Sequence, residues 1–198
     1  AAQYAKSAKT SYAYDIAHGS FNDLSLDGSL PNLHYCSKQQ LGLLAGQIDL
    51  IILFDVIDHI VGNTAVNLLQ DLKKYLSPTG RIFLRCHPWT SRTGSHAYLS
   101  VNKAFIHLAM TSDELLQAGV KVLPNIKANK PLAIYEDMLN KAGYKTEHKK
   151  VQTNAVEDYF DGQLLERMIN VTWAGTVDSN KARKIMSTTY VDYLLSAI

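Results

Sequence analysis

The stretch Ile48-Asp49-Leu50-Ile51-Ile52-Leu53-Phe54-Asp55-Val56-Ile57-Asp58-His59-Ile60, followed by Leu76-Ser77-Pro78-Thr79-Gly80-Arg81-Ile82-Phe83-Leu84, decides how this chain folds. Ile48 to Phe54 is apolar apart from Asp49, the pattern of a central strand covered on both faces. It ends in an acid-rich turn. Between the two strands, Asn63 to Leu76 places Val66, Leu69, Leu72 and Leu76 along one helical face, and Asn63 is placed to cap its start. Pro78, Thr79 and Gly80 stop the helix and turn the chain into Arg81 to Cys86. Strand, helix and strand make one βαβ unit, in which consecutive parallel strands bring their carboxyl ends to the same side. That side is where open α/β sheets bind ligands.

Outward from this unit the signals are weaker. Ala1 to Thr10 reads as the tail of a helix, Ser11 to Ile16 and Leu33 to Cys36 as short strands, and Ala17 to Pro31 as turn-rich chain. Thr111 or Ser112 caps a short helix ended by Gly119. Pro131 opens and Gly143 closes a helix whose inward positions are Leu132, Tyr135, Met138, Leu139 and Ala142. Tyr144 to Val151 alternates as a strand. Asn154 with Glu157 makes a capping box for a helix through Leu165 and Ile169. Asn180 to Ile198 reads as a last helix, with Ile185, Val191, Leu194 and Leu195 facing inward.

The chain has 198 residues, 46% hydrophobic and 19% charged, which suits a single domain over 1–198 with one core. A net charge of +2 without long like-charge runs gives no indication of nucleic acid. No apolar run reaches the about 18 residues of a membrane span, and no secretion signal opens the chain. Cys36 and Cys86 sit in apolar strand-like runs and read as reduced thiols, so a cytoplasmic location is expected.

Ile48 to Leu84 resembles the fourth strand, following helix and fifth strand of the class I S-adenosylmethionine-dependent methyltransferases, whose usual wording there is close to "FDLVVSFDVLEHI…LKRVLKPGGRLVL". The resemblance covers residues 1–90 and, more loosely, 131–151. It implies an α/β, Rossmann-like methyltransferase sheet, mostly parallel, and S-adenosylmethionine (SAM) as cofactor. Asp15, at the end of the family's second strand, would bind the cofactor ribose; otherwise it opens a turn. The family's glycine-rich loop would precede Asp15 by more residues than the chain offers before it. The expectation is therefore an N-terminally shortened, truncated sheet, and weak or absent SAM binding by this chain. After the third strand the family's adenine-contacting acid is missing, and Ser37 or Gln39 is the polar stand-in.

Methyl transfer needs a nucleophile held in line and, for a poor nucleophile, a base. Asp55 and His59 are the candidates for orienting the acceptor and taking its proton, while Asp55 and Asp58 line the cofactor pocket; capping the next helix is the plainer role for Asp58 and His59. The loop Arg85 to Tyr98 concentrates His87, Trp89, Arg92 and His96 and is expected to choose the acceptor, with Arg92 on a carboxylate or phosphate and Trp89 on a ring. A purely structural loop is the other reading. Cys36, His34, Cys86 and His87 are not expected to bind metal, because Cys86 and His87 are adjacent in one strand and face opposite ways. The alternative to an enzyme is a non-catalytic Rossmann-like binding or assembly module. A sheet lacking its usual central strand must be closed by direct pairing of Tyr12–Ile16 with Ile48–Phe54 or covered by a neighbour, and a homodimer is the expectation. The methyl acceptor itself is not legible.

Overall fold

A computed structural model describes residues 2–14, 30–95, 97–121, 131–156 and 161–198. The chain opens with a single helical turn, α1 (Ala2–Ala5), and two short parallel strands, β1 (Ser11–Ala13) and β2 (Leu33–Tyr35). After α2 (Lys38–Gly42) come β3 (Ile48–Phe54), α3 (Asn63–Leu72) and β4 (Leu76–Cys86). Three short helices follow, α4 (Tyr98–Val101), α5 (Ile106–Ala109) and α6 (Ser112–Gln117). The remainder is α7 (Leu132–Lys141), β5 (Tyr144–Thr153), α8 (Gly162–Trp173), α9 (Ser179–Met186) and β6 (Thr188–Ala197).

The architecture is α/β and Rossmann-like, as expected. One sheet is the parallel pair β1-β2, and the other has the order β3-β4-β6-β5. β3 and β4 are parallel, with Ile51 opposite Ile82 and Phe54 opposite Arg85, while β6 runs antiparallel to both β4 and β5. The expected turn at Pro78 to Gly80 is taken into β4 as an irregularity, since Ile48 pairs with Leu76 but Leu50 pairs with Arg81. Gly80 is required there, because a Cβ would lie 2.6 Å from the Ile48 carbonyl oxygen.

The core lies on one face of this sheet. Leu53, Ile82, Leu84, Val191, Tyr193 and Leu195 point into it, and Ala65, Leu69, Tyr135, Met138 and Leu139 of α3 and α7 cover it. The Tyr144 hydroxyl donates to the Leu69 carbonyl at 2.8 Å, satisfying its one buried polar atom. The opposite face is much more open among the described residues, with Leu50 49% and Phe54 42% exposed and Ile52, Phe83 and Leu194 partly so. A second core unites Phe105, Leu108, Leu165, Met168, Ala182 and Met186 of the helices around α5, α8 and α9.

Three expectations are corrected. Residues 180–198 are not one helix: α9, capped by the Asp178 carboxylate, ends at Met186, and Thr188–Ala197 is a strand inserted between β4 and β5. Its sequence is β-branched and aromatic at alternate positions, and Val191, Tyr193 and Leu195 are buried while Leu194 faces the open side. Asn63 is the first residue of α3 rather than its cap, which is Gly62. Asn154 does not begin α8, whose cap is Asp161, accepting from the Leu164 N–H at 2.8 Å. The Thr111–Glu114 capping box does form, and so does the helix from Pro131 to Gly143. Direct pairing of the strands around Tyr12 and Ile51 does not occur: among the described residues β1 pairs with β2, and β3 with β4. Cys36 and Cys86 are buried and not joined in a disulfide. No described helix is long and apolar enough to cross a membrane.

Candidate active site

β3 and β4 end side by side, and the chain leaves β3 through Asp55, whose φ of 55° lies in the left-handed region that non-glycine residues seldom occupy. Such strain persists only where neighbours fix it. Here the Asp55 N–H donates to the Arg85 carbonyl at 3.2 Å, and Asp55 Oδ1 lies 3.1 Å from His87 Nε2. His87 is one residue beyond β4. Its own N–H donates to Asp58 Oδ2 at 3.0 Å, its carbonyl accepts from the Tyr135 hydroxyl at 3.4 Å, and its Nδ1 lies 3.0 Å from the Thr189 carbonyl oxygen.

These contacts fix the imidazole chemically. A carbonyl oxygen only accepts, so Nδ1 carries a hydrogen. Nε2 then lies toward Asp55 Oδ1, a buried oxygen with no hydrogen-bond partner among the described residues, so this contact is one of charge proximity. Burial pushes the Asp55 carboxyl above its ordinary range and nearby Asp58 adds to this, against the pull of His87, Arg85 and His59. Asp55 Oδ1 is buried, yet 39% of the side chain is exposed, which leaves Oδ2 as the oxygen facing outward. Asp58 is 4% exposed, and its Oδ1 has no hydrogen-bond partner among the described residues. An unsatisfied buried carboxylate oxygen costs about 1–3 kcal/mol and calls for a donor from a ligand or a water.

The flank of this group is an ordered row across the sheet. Phe54, Arg85, Asp192 and Lys150 are successive partners in register. Arg85 makes a two-pronged pair with Asp192, 2.6 and 2.7 Å, and its guanidinium lies 4.5 Å from the Phe54 ring centre and 3.9 Å from that of Tyr190. Arginine suits this place because its planar fork matches the carboxylate and its face stacks on rings.

The structure thus brings Asp55, Asp58 and His87 together, with His59 exposed in the single turn Ile57–His59 beside them. Trp89 and Arg92 lie further along the loop. Trp89 is a wedge in the second core: its ring meets His107 edge-on with centres 4.6 Å apart, and its carbonyl accepts from His107 Nε2 at 2.7 Å. His107 is buried, which lowers its pKa to about 4 and keeps it neutral. The loop folds tightly on itself, since Ser91 N–H donates to the Pro88 carbonyl at 2.9 Å and a Cβ at Gly94 would run into the carbonyl oxygens of Trp89 and Pro88. Arg92 lines a cleft with Lys103 and Thr189. The Ser37 hydroxyl caps α2, accepting from the Gln40 N–H at 3.3 Å, and next to it Tyr12, His34, Tyr35, Cys36 and Gln40 line another cleft of about 270 Å³. Asp15 and His96 lie outside the described residues.

The helical reading of Asn180 to Ile198 leaves Thr189, Tyr190 and Asp192 outside the site, whereas the strand β6 brings them to it. The signal was present in the alternation of Val191, Tyr193 and Leu195 with Tyr190, Asp192 and Leu194.

No protein-family model and no curated protein sequence matches this chain. Among solved structures it is similar to a SAM-dependent methyltransferase from Mesorhizobium loti, over 98% of this chain and 84% of that one, with 12% identity and a TM-score of 0.53. It is similar at nearly the same level to the [4+2]-cyclase SpnF, over 98% of this chain and 68% of that one, with 10% identity and a TM-score of 0.52. Alignment with PKMT2 from Rickettsia typhi, in complex with AdoHcy, covers 95% of this chain at 15% identity and a TM-score of 0.49. The chain spans 44% of the length of that protein. The fold is therefore that of SAM-dependent methyltransferases, and at these identities the likeness is one of fold.

Proposed function

We propose that this chain carries the cofactor and acceptor groups of a SAM-dependent methyltransferase, with Asp55 and Asp58 toward the cofactor and His87 and Arg92 toward the acceptor. The observation that supports it is the pairing of an outward carboxylate oxygen on Asp55 with an unsatisfied one on Asp58 at the carboxyl end of β3. Both are acceptors, and they fit a ligand rich in N–H and O–H donors with net positive character, which SAM is. When bound, SAM supplies a methyl group on a sulfonium. Asp55 Oδ2 orients the acceptor or takes its proton, and His87 steadies the charge on Oδ1. His59, exposed beside Asp55, is the alternative base; Asp15 and Ser37 are the remaining cofactor contacts.

SAM binding by this chain is expected to be weak, because the described residues offer side-chain acceptors but no glycine-rich turn of backbone donors. Titration with SAM to millimolar concentration should move the amide signals of Asp55 to Ile60, and Asp55→Asn should weaken that response about tenfold, the worth of one hydrogen bond to a charged group. Unmoved signals in this segment would overturn the assignment. Micromolar affinity by calorimetry would overturn the expectation of weak binding.

The alternative, a non-catalytic assembly module, is favoured by one observation: among the described residues β3 has a single partner strand, and Leu50 and Phe54 stand exposed on the open face. Unpaired strand edges with apolar neighbours attract other chains. A homodimer is expected on either reading, in the cytoplasm, where the buried thiols Cys36 and Cys86 stay reduced. Light scattering should show mass rising toward the dimer with concentration; a monomer at every concentration would remove it.

A further inference from the structure

We propose that Arg85 is the positioning residue of this site: its guanidinium fixes the two aromatic side chains whose chain neighbours hold the His87 imidazole. This rests on the methyl-transfer reading above, in which His87 is turned toward the acceptor. Arg85 and His87 are two apart at the end of β4, a spacing that brings both side chains to one face. The guanidinium lies 4.5 Å from the ring centre of Phe54 and 3.9 Å from that of Tyr190, and Asp192 accepts from it at 2.6 and 2.7 Å. Next to each ring in the chain stands a contact to the imidazole. Asp55 follows Phe54, and its Oδ1 lies 3.1 Å from His87 Nε2. Thr189 precedes Tyr190, and its carbonyl accepts from His87 Nδ1 at 3.0 Å.

The arrangement is a clamp of two layers. Phe54, Arg85 and Tyr190 stack in one, and Asp55, His87 and Thr189 meet in the other. The Tyr190 ring joins the layers directly, because it also meets the imidazole edge-on, with ring centres 5.8 Å apart and planes at 61°. On the β3 side the join is through the backbone. The Asp55 N–H donates to the Arg85 carbonyl at 3.2 Å, which holds Asp55 at its left-handed φ of 55°. A strained residue keeps such a conformation only when its surroundings fix it, and the Phe54 ring stacked on the guanidinium fixes the residue just before it.

The clamp needs an arginine. A planar fork matches the Asp192 carboxylate in its own plane and leaves its flat faces to the rings, and the charge does not titrate; an ammonium offers neither the fork nor the flat face. The imidazole it seats has one orientation. A half-turn of the ring would put carbon atoms where Nδ1 and Nε2 now meet the Thr189 carbonyl and Asp55 Oδ1, and would forfeit the hydrogen bond to Thr189. The acceptor therefore meets a fixed edge of His87 beside the outward oxygen of Asp55, and that edge is set by a side chain that itself touches neither reacting group.

The test reads the ring nitrogens of His87 by NMR in the whole chain, with His107 as internal reference because Trp89 holds that ring instead. The wild type should show one ring state for His87, with a protected Nδ1–H. Tyr190→Leu keeps the Arg85–Asp192 pair and removes the ring between the layers. Arg85→Met combined with Asp192→Ala removes the guanidinium and its counter-charge together, so that no charge is stranded. In both, exchange of the Nδ1 proton with water should quicken about tenfold, the worth of one hydrogen bond, while His107 is unchanged. Tyr190→Phe, which keeps the ring, should behave as the wild type. Wild-type exchange in either of the first two variants overturns the proposal, as does equal loosening of His87 and His107, which reports general destabilisation. A loss in Tyr190→Phe as large as in Tyr190→Leu also overturns it, since the ring is then not what acts. SAM titrated into the wild type tests the underlying reading separately. No response at Asp55 to Ile60 with the ring behaviour as expected removes the methyl-transfer role and leaves the clamp on His87, and the reverse pattern removes the clamp alone.

Discussion

Replacing Asp192 with alanine should lower the stability of the fold by about 3 kcal/mol, the cost of stranding one member of a largely buried ion pair. The Arg85 and Asp192 side chains are only 22% and 12% exposed, and the guanidinium is closed in by the rings of Phe54 and Tyr190. Without the carboxylate, the charge keeps its desolvation cost and loses both hydrogen bonds. Removing the charge as well reverses most of this: Arg85→Met in the Asp192→Ala background should recover a large part of the loss, because an apolar side chain suits the space between two rings. Urea denaturation of the wild type, Asp192→Ala and the double variant measures both effects. A loss below about 1 kcal/mol for Asp192→Ala would show that the pair behaves like an exposed one. The Arg85 carbonyl accepts the Asp55 N–H, so the destabilised row adjoins the proposed site.

Acid should destabilise the protein through His107. Its folded pKa, about 4, lies below the ordinary 6.5 because burial opposes the charged form more than the Trp89 carbonyl favours it. The unfolded chain therefore binds more protons between these values, and stability falls as pH drops from 6.5 to 4. Above 6.5 the contribution is complete and below 4 it is spent. The shift corresponds to about 3 kcal/mol. Asp55, whose carboxyl is raised, works in the opposite sense: its contribution is present in acid and lost as pH rises through the folded pKa. His107→Gln isolates the histidine, since an amide still offers the Trp89 carbonyl a donor but does not titrate here. Unfolding free energies at pH 7 and 4.5 should differ by about 2 kcal/mol more in the wild type than in the variant. Equal differences would mean that His107 is not held neutral. Protonation here also disturbs the Trp89 anchor, so the loop from Pro88 to Ser95 should be the first part of the site to lose order.

Where a few adjacent residues carried the physical cause, the sequence determined the structure by itself. The apolar run Ile48 to Phe54 needs cover on both faces, the α3 stripe needs one, and the turn at Pro78 to Gly80 allows the chain to return, so the βαβ unit and the shared carboxyl ends of β3 and β4 follow. The Thr111–Glu114 box and the Pro131 and Gly143 boundaries are likewise local. Only tertiary structure decided the C-terminus. Val191, Leu194 and Leu195 fit a helical stripe, while Val191, Tyr193 and Leu195 fit a strand face, and the slot between β4 and β5 settles it by supplying ladder partners about a hundred residues earlier on one side. The site divides in the same way. The meeting of Asp55, Asp58 and His87 follows from parallel neighbours, but the proton on His87 Nδ1 depends on Thr189 of β6, and the place of the Arg85 guanidinium depends on Tyr190 and Asp192. Such contacts are fixed when distant segments pack, because a hydrogen bond or a stacked ring is set by position in space, and no periodicity in the chain records that position.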